Sequence, residues 1–251
     1  MPKWLSALAF LLTCSTVGAQ NNLRSLYKPQ SVEGMPCRVM APLQFDKTQK
    51  YPVIVSLHGG GGKGTDNNKQ LKGWNRQLAD RSRRQQFPCY VIAPQANELW
   101  NVDHLNKIKA LIQTLPSIDM DRIYLMGHSM GGHGTYIFLQ LDAKYFAAAA
   151  PSAGSGLKRT EKFIEPRKIK DIPIWAFHGD NDRVCPIEKD LAVFREMEEL
   201  DGNMKLTTWL GDSHAVSEKF IVGAKNGITR CSSKRCDKEP DFMTWLFAQS
   251  R

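Results

Sequence analysis

Arg122-Ile-Tyr-Leu-Met-Gly-His-Ser-Met-Gly-Gly132 is the stretch on which the reading of this chain turns. Residues 122–126 have the apolar, β-branched and aromatic character of a buried strand, and Gly127 stops it. Residues 130–142 continue as a helix-like run. A chain that passes straight from strand to helix must turn sharply, so the residues around the turn need little bulk. Ser129 stands at the tightest point, and the turn pushes its Oγ out at the carboxyl end of the sheet. The helix behind it aims backbone N–H groups and its positive dipole end at the same place. Ser129 is therefore a candidate nucleophile. The competing reading is a glycine-rich turn with a serine helix cap.

Working outward, 51–57, 89–93, 146–150, 172–177 and 204–209 also read as strands. Helix-like segments fall near 68–85, 102–114, 186–200 and 240–249. Strands alternating with helices imply an α/β fold, with a mostly parallel central sheet covered by helices on both faces. Residues 36–43 add an antiparallel strand at the front. Residues 217–239 are polar and hold two cysteines, and they read as a long loop before the last helix. Connections between strands are short, so no large lid is expected and the site should be an open cleft. At 251 residues, with 42% hydrophobic and 24% charged side chains, the composition suits one globular domain over 20–251.

A serine hydroxyl needs a base within hydrogen-bond reach, and the base needs an acid to orient it. On this scaffold the chain order is Ser, then Asp or Glu, then His. His214, in Gly211-Asp212-Ser213-His214 just after the 204–209 strand, is the candidate base. His178 precedes Gly179-Asp180-Asn181-Asp182 at a strand end and is expected to order the acid loop. His133 is expected to give packing or polar support. Asp182 is the candidate acid and Asp180 the runner-up, which could instead bond amides within its turn. Donors for a developing oxyanion are expected from the amides of Gly60, or alternatively Gly61, in His58-Gly59-Gly60-Gly61-Gly62 and of Met130. Gly62-Lys63-Gly64-Thr65 misses the spacing of a phosphate loop. Trp100, past a strand end, is a candidate wall for the substrate pocket, with core packing as the alternative.

The N-terminus reads as an export signal: Lys3, an apolar run over 4–12, then Val17-Gly18-Ala19, with cleavage expected after Ala19. The run is too short for a spanning helix. A lipoprotein signal at Cys14 is disfavoured by Thr13, so a secreted or periplasmic protein without a stable membrane anchor is expected. Removing 1–19 takes one charge, Lys3, from a formal net charge of +9. Such a surface suits anionic partners such as acidic polysaccharide, or is simply solvated. Arg81-Ser82-Arg83-Arg84 has no interleaved aromatics and no nucleic-acid motif beside it, so no nucleic-acid partner is expected. Of the cysteines left, Cys231 and Cys236 flank a short polar loop and are the expected disulfide. No histidine lies near them, so no metal site is expected.

The sequence resembles the α/β-hydrolase superfamily. More narrowly, it looks like the predicted-peptidase or esterase group related to dienelactone hydrolases and prolyl-oligopeptidase catalytic domains. The stretches that carry the resemblance are 51–59, 66–71, 87–95, 121–135, 146–154 and 174–179 with Asp182. The resemblance implies the α/β-hydrolase fold, carboxylic-ester hydrolysis without a cofactor, and a triad of Ser129, Asp182 and His214. Such proteins usually have glycine before the catalytic histidine and often tryptophan shortly after. Here Ser213 precedes His214, and Ala215-Val216-Ser217 follow. An exported, basic, lidless esterase suits polymer-linked esters, such as acetyl or feruloyl groups on plant polysaccharide. A serine peptidase and a non-catalytic binding protein on the same fold are the competing functions.

Overall fold

The computed structural model describes residues 23–154 and 164–251; the export-signal reading of 1–19 and Cys14 lies outside the described residues. The strands are β1 (Lys28–Val32), β2 (Met35–Met40), β3 (Tyr51–Leu57), β4 (Tyr90–Pro94), β5 (Ile118–His128), β6 (Ala148–Ser152), β7 (Ile174–Gly179), β8 (Met204–Trp209) and β9 (Gly227–Cys231). The helices are α1 (Gly73–Leu78), α2 (Arg81–Gln86), α3 (Val102–Thr114), α4 (Met130–Leu141), α5 (Pro166–Ile169), α6 (Glu188–Glu199) and α7 (Phe242–Ala248).

All nine strands join one sheet in the order β1-β2-β4-β3-β5-β6-β7-β8-β9. From β4 through β8 every pairing is parallel. The edges β1, β2 and β9 pair antiparallel. The expected mostly parallel sheet is present, and among the described residues no large lid is evident.

Every residue of β3 is buried, and its side chains alternate between two cores. Val53, Val55 and Leu57 pack with Leu105, Ile108 and Ile112 of α3, Phe138 and Leu139 of α4, and Phe194 and Met197 of α6. Ile54 points the other way, among Trp74 and Leu78 of α1 and Met243 and Leu246 of α7. Helices thus cover both faces, and each such aliphatic side chain contributes roughly 1.5–3 kcal/mol by burial. Ser56, the one polar residue of this strand, is not orphaned. It accepts from Trp74 Nε1 at 2.8 Å and Asn75 Nδ2 at 3.0 Å, mooring α1 to the sheet.

Several elements differ from the sequence reading. The run over 68–85 is two short helices, because the Asp80 carboxylate accepts from Arg83 N at 3.2 Å and starts a second helix. β1, Lys-Pro-Gln-Ser-Val, has no apolar alternation to announce it. It forms because Glu33 and Gly34, at φ 46° and 78°, close a two-residue hairpin onto β2. Part of 217–239 is also ordered as edge strand β9, whose residues are largely exposed. Cys231 and Cys236 are free thiols rather than a disulfide. Cys231 ends β9 facing solvent, while Cys236 turns inward and its Sγ donates to the Met204 carbonyl at 3.4 Å.

Candidate active site

β5 and α4 meet at Ser129, and the junction explains its own sequence. Ser129 has φ 58° and ψ −120°, a region that side-chain-bearing residues rarely occupy. A Cβ on Gly131 would stand 2.1 Å from the Leu57 carbonyl oxygen, so only glycine lets α4 start against β3. Ser129 N donates to Ser152 O of β6 at 2.8 Å and fixes the turn to the neighbouring strand. Its side chain remains partly accessible at the carboxyl edge of the parallel strands.

Two loops at the ends of β7 and β8 meet this serine. His214 Nε2 lies 2.8 Å from Ser129 Oγ, and His214 Nδ1 lies 2.7 Å from Asp182 Oδ2. The other Asp182 oxygen accepts from Val184 N at 2.8 Å and Cys185 N at 2.9 Å. Burial alone would push this carboxyl up. The hydrogen bonds from His178, His214 and the two amides outweigh it and hold Asp182 well below the usual carboxylate range. An ionised, immobile acid, an imidazole and a hydroxyl in that order can move a proton from Ser129 Oγ to His214 Nε2. Asp180 takes no part in this chain. Its carboxylate accepts from Gly211 N at 2.6 Å, the turn-bonding alternative.

The glycine loop after β3 runs directly against the serine. A Cβ on Gly59 would lie 3.3 Å from Ser129 Cβ. Gly60 opens a 3-10 turn, Gly60–Gly62, and Met130 opens α4. The first N–H groups of a helix have no acceptor within it, so amides at these two positions are of the kind that can donate to an added oxyanion. His58 sets this loop: Nδ1 donates to Gly59 O at 2.8 Å, and Nε2 accepts from Ala96 N at 3.0 Å. That pattern fixes the neutral tautomer, and burial lowers the imidazole to about 4.

Trp100 is 2% exposed and does not wall the cleft. It packs against Phe138 and the His58 ring, and its Nε1 donates to His58 O at 3.2 Å. It supports the glycine loop from behind, the core-packing alternative. His133 is buried on α4, and burial lowers it to about 4. His128, next to the serine, has its ring 4.8 Å from that of His214 and its Nδ1 3.1 Å from Ser152 Oγ; chiefly through burial it is lowered to about 3 and stays neutral.

The 217–239 segment buttresses the base loop. Lys219 Nζ pairs with Asp212, and Asn226 Nδ2 donates to Asp212 at 3.0 Å and to Leu210 O at 2.8 Å. Phe220 fills the space between Trp74 and Phe177. His178 lies against the acid, as expected of a residue that orders the acid loop, and motif reading missed the carboxylate behind it. His178 touches Asp182 and, behind it, Asp190 of α6. A signal was present: Asp190, Phe194 and Met197 share one buried helix face at 3.6-residue spacing. Among the described residues no group of three or more His, Cys, Asp or Glu side chains is arranged to hold a metal ion. None of their helices is long and apolar enough to cross a membrane.

Residues 87–232, more than half of the chain, match the phospholipase/carboxylesterase family. A bifunctional acetylxylan esterase/xylanase from Neocallimastix patriciarum is 29% identical over 63% of this chain and 23% of its own length. An acyl-protein thioesterase 1 from Neurospora crassa is 30% identical over 48% of this chain and 51% of its own. The chain therefore spans at most about half the length of these relatives. Among solved structures, a thermostable esterase superimposes with a TM-score of 0.71 at 27% identity, covering 92% of this chain and 64% of that one. The sheet order and this likeness identify the α/β-hydrolase fold.

Proposed function

The chain belongs to the phospholipase/carboxylesterase family, and from that premise we propose that it is a serine carboxylesterase working through an acyl-enzyme. Ser129 attacks the ester carbonyl, and His214 takes the serine proton and returns it to the leaving alcohol. Asp182 holds His214 in the right tautomer and stabilises the imidazolium formed during attack. The amides of Gly60 and Met130 receive the oxyanion. Water then enters, gives a proton to His214, attacks the acyl carbon and releases the acid while Ser129 Oγ recovers its proton. One observation carries the reading: Ser129 Oγ, His214 and Asp182 form a hydrogen-bonded chain of 2.8 and 2.7 Å. It stands where a helix N-terminus and a glycine loop meet.

The export signal and open cleft expected from the sequence, together with a formal net charge of +9, favour a secreted enzyme acting on polymer-linked esters, with acetyl and feruloyl groups as the candidate acyls. The acetylxylan esterase/xylanase relative supports the same substrate class. Fluorophosphonate treatment followed by peptide mapping tests the nucleophile: a single adduct on Ser129 is expected, and an unlabelled Ser129 sinks the reading. Comparing acetyl-xylan, feruloyl and aryl esters with aminoacyl anilides then tests the substrate class. Faster anilide cleavage would replace the esterase by a peptidase.

A further inference from the structure

Behind the acid stands a second, fully buried ion pair. His178 has no exposed side-chain surface, and its ring nitrogens face two carboxyl groups and a backbone carbonyl. Nδ1 is 2.5 Å from Asp190 Oδ2. Nε2 is 2.7 Å from the Cys185 carbonyl and 3.2 Å from Asp182 Oδ2, the oxygen that also meets His214. A neutral imidazole carries one N–H and would turn a lone pair on one of these oxygens. With both carboxyls ionised, only the doubly protonated ring satisfies them all. Asp190 has its own second partner, since Tyr136 Oη donates to Oδ1 at 3.2 Å.

We propose that His178 is a positioning residue: a buried imidazolium, anchored by Asp190, that fixes the Asp182 carboxylate and keeps it ionised opposite His214. The inference rests on the serine-esterase reading. The groups around it are consistent in charge. Asp190 and Asp182 flank the cation on opposite sides. His128, at the end of β5, is kept neutral by burial, and burial pushes the Cys185 thiol up to about 11 and Tyr136 upward as well. Burial also works against a charge on His178, but the hydrogen bonds to Asp182 and Asp190 outweigh it and hold the imidazole up at about 10. The cation has a kinetic consequence. When His214 accepts the serine proton, Asp182 already faces one imidazolium, so proton uptake is less favourable than beside an unshared carboxylate.

The test needs no variant at first. In protein labelled with 15N at histidine, both His178 nitrogens should carry protons at pH 8. A single protonated nitrogen there, with normal fluorophosphonate labelling of Ser129, overturns this inference and leaves the esterase reading intact. An unlabelled Ser129 overturns the esterase reading and the positioning role together. The variants are His178→Gln and, to avoid leaving Asp190 buried without its counter-charge, His178→Gln with Asp190→Asn. The folded double variant should lose roughly 10- to 100-fold in kcat with little change in KM. The acid limb of its kcat/KM profile should move up by about one pH unit. The same loss with an unmoved limb would reduce His178 to a packing residue and overturn the proposal.

Discussion

Gly179 and Asp212 touch so closely that a Cβ on the glycine would stand 2.4 Å from the Asp212 carbonyl oxygen and 2.5 Å from that of Ser213. The loop bearing Asp182 and the loop bearing His214 are thus one interlocked unit. Asn181 N, donating to Asp212 O at 2.9 Å, closes it further. Gly179→Ala must separate the two loops. We expect it to cost about 1–3 kcal/mol of stability in urea unfolding, as overpacking does. It should lower kcat by 100-fold or more, because a displacement near 1 Å suffices for that. Unchanged kcat in a folded Gly179→Ala protein would show that the contact does not set the geometry.

Ser129 pays for its exposed hydroxyl with backbone strain. At φ 58° and ψ −120° a non-glycine residue costs of order 1–3 kcal/mol. Glycine adopts that conformation freely but loses about 0.5–1 kcal/mol through its more mobile unfolded chain. Ser129→Gly should therefore abolish ester turnover while raising stability by about 1 kcal/mol. For a chain of this size that is roughly 2–4 °C in Tm. A lower Tm by calorimetry would remove strain from the account of this turn.

Asp182 and Asp180 lie two residues apart and are tied to different partners. Asp182→Asn should keep the fold but present the wrong tautomer to His214, lowering kcat by about 10⁴-fold. The Asp180 carboxylate accepts from Gly211 N and not from His214, so Asp180→Asn should change kcat by less than about tenfold. Steady-state rates on one aryl ester decide between them, and the reverse ranking would hand the acid role to Asp180.

The parts of the site that a sequence shows are those whose local shape demands particular residues. The turn at Ser129 needs glycines, and chain order then selects Asp182 and His214 from few candidates. What stayed hidden depends on tertiary placement. Asp190 reads as an ordinary acid in the first turn of a helix until α6 lays it on His178. Trp100 reads equally well as a pocket wall or a core side chain, and only the packing of Phe138 and His58 decides it. The edge strands β1 and β9 lack a buried face, so no alternation marks them. The Asp80 cap that splits 68–85 sits inside a run whose composition is otherwise helical throughout.

Three of the buried histidines, His58, His128 and His133, give the protein an acid-sensitive fold. Burial is the leading cause at each, lowering His58 and His133 to about 4 and His128 to about 3. In the unfolded chain all three return to about 6.5. Between those values the unfolded state binds more protons, so stability rises with pH across this window and is lost as pH falls through it. Each unit of difference is worth about 1.4 kcal/mol. Tm should accordingly drop steeply from about pH 6.5 towards pH 4. His178 acts in the opposite sense: raised to about 10, it contributes fully below the ordinary histidine range and fades as pH rises through about 10. A Tm that stays level from pH 6.5 to 4 would mean that these rings take up protons in the folded state after all. Replacing His133, the one of the three outside both the glycine loop and the serine turn, by Gln should make the acid slope shallower while leaving Ser129 labelling intact.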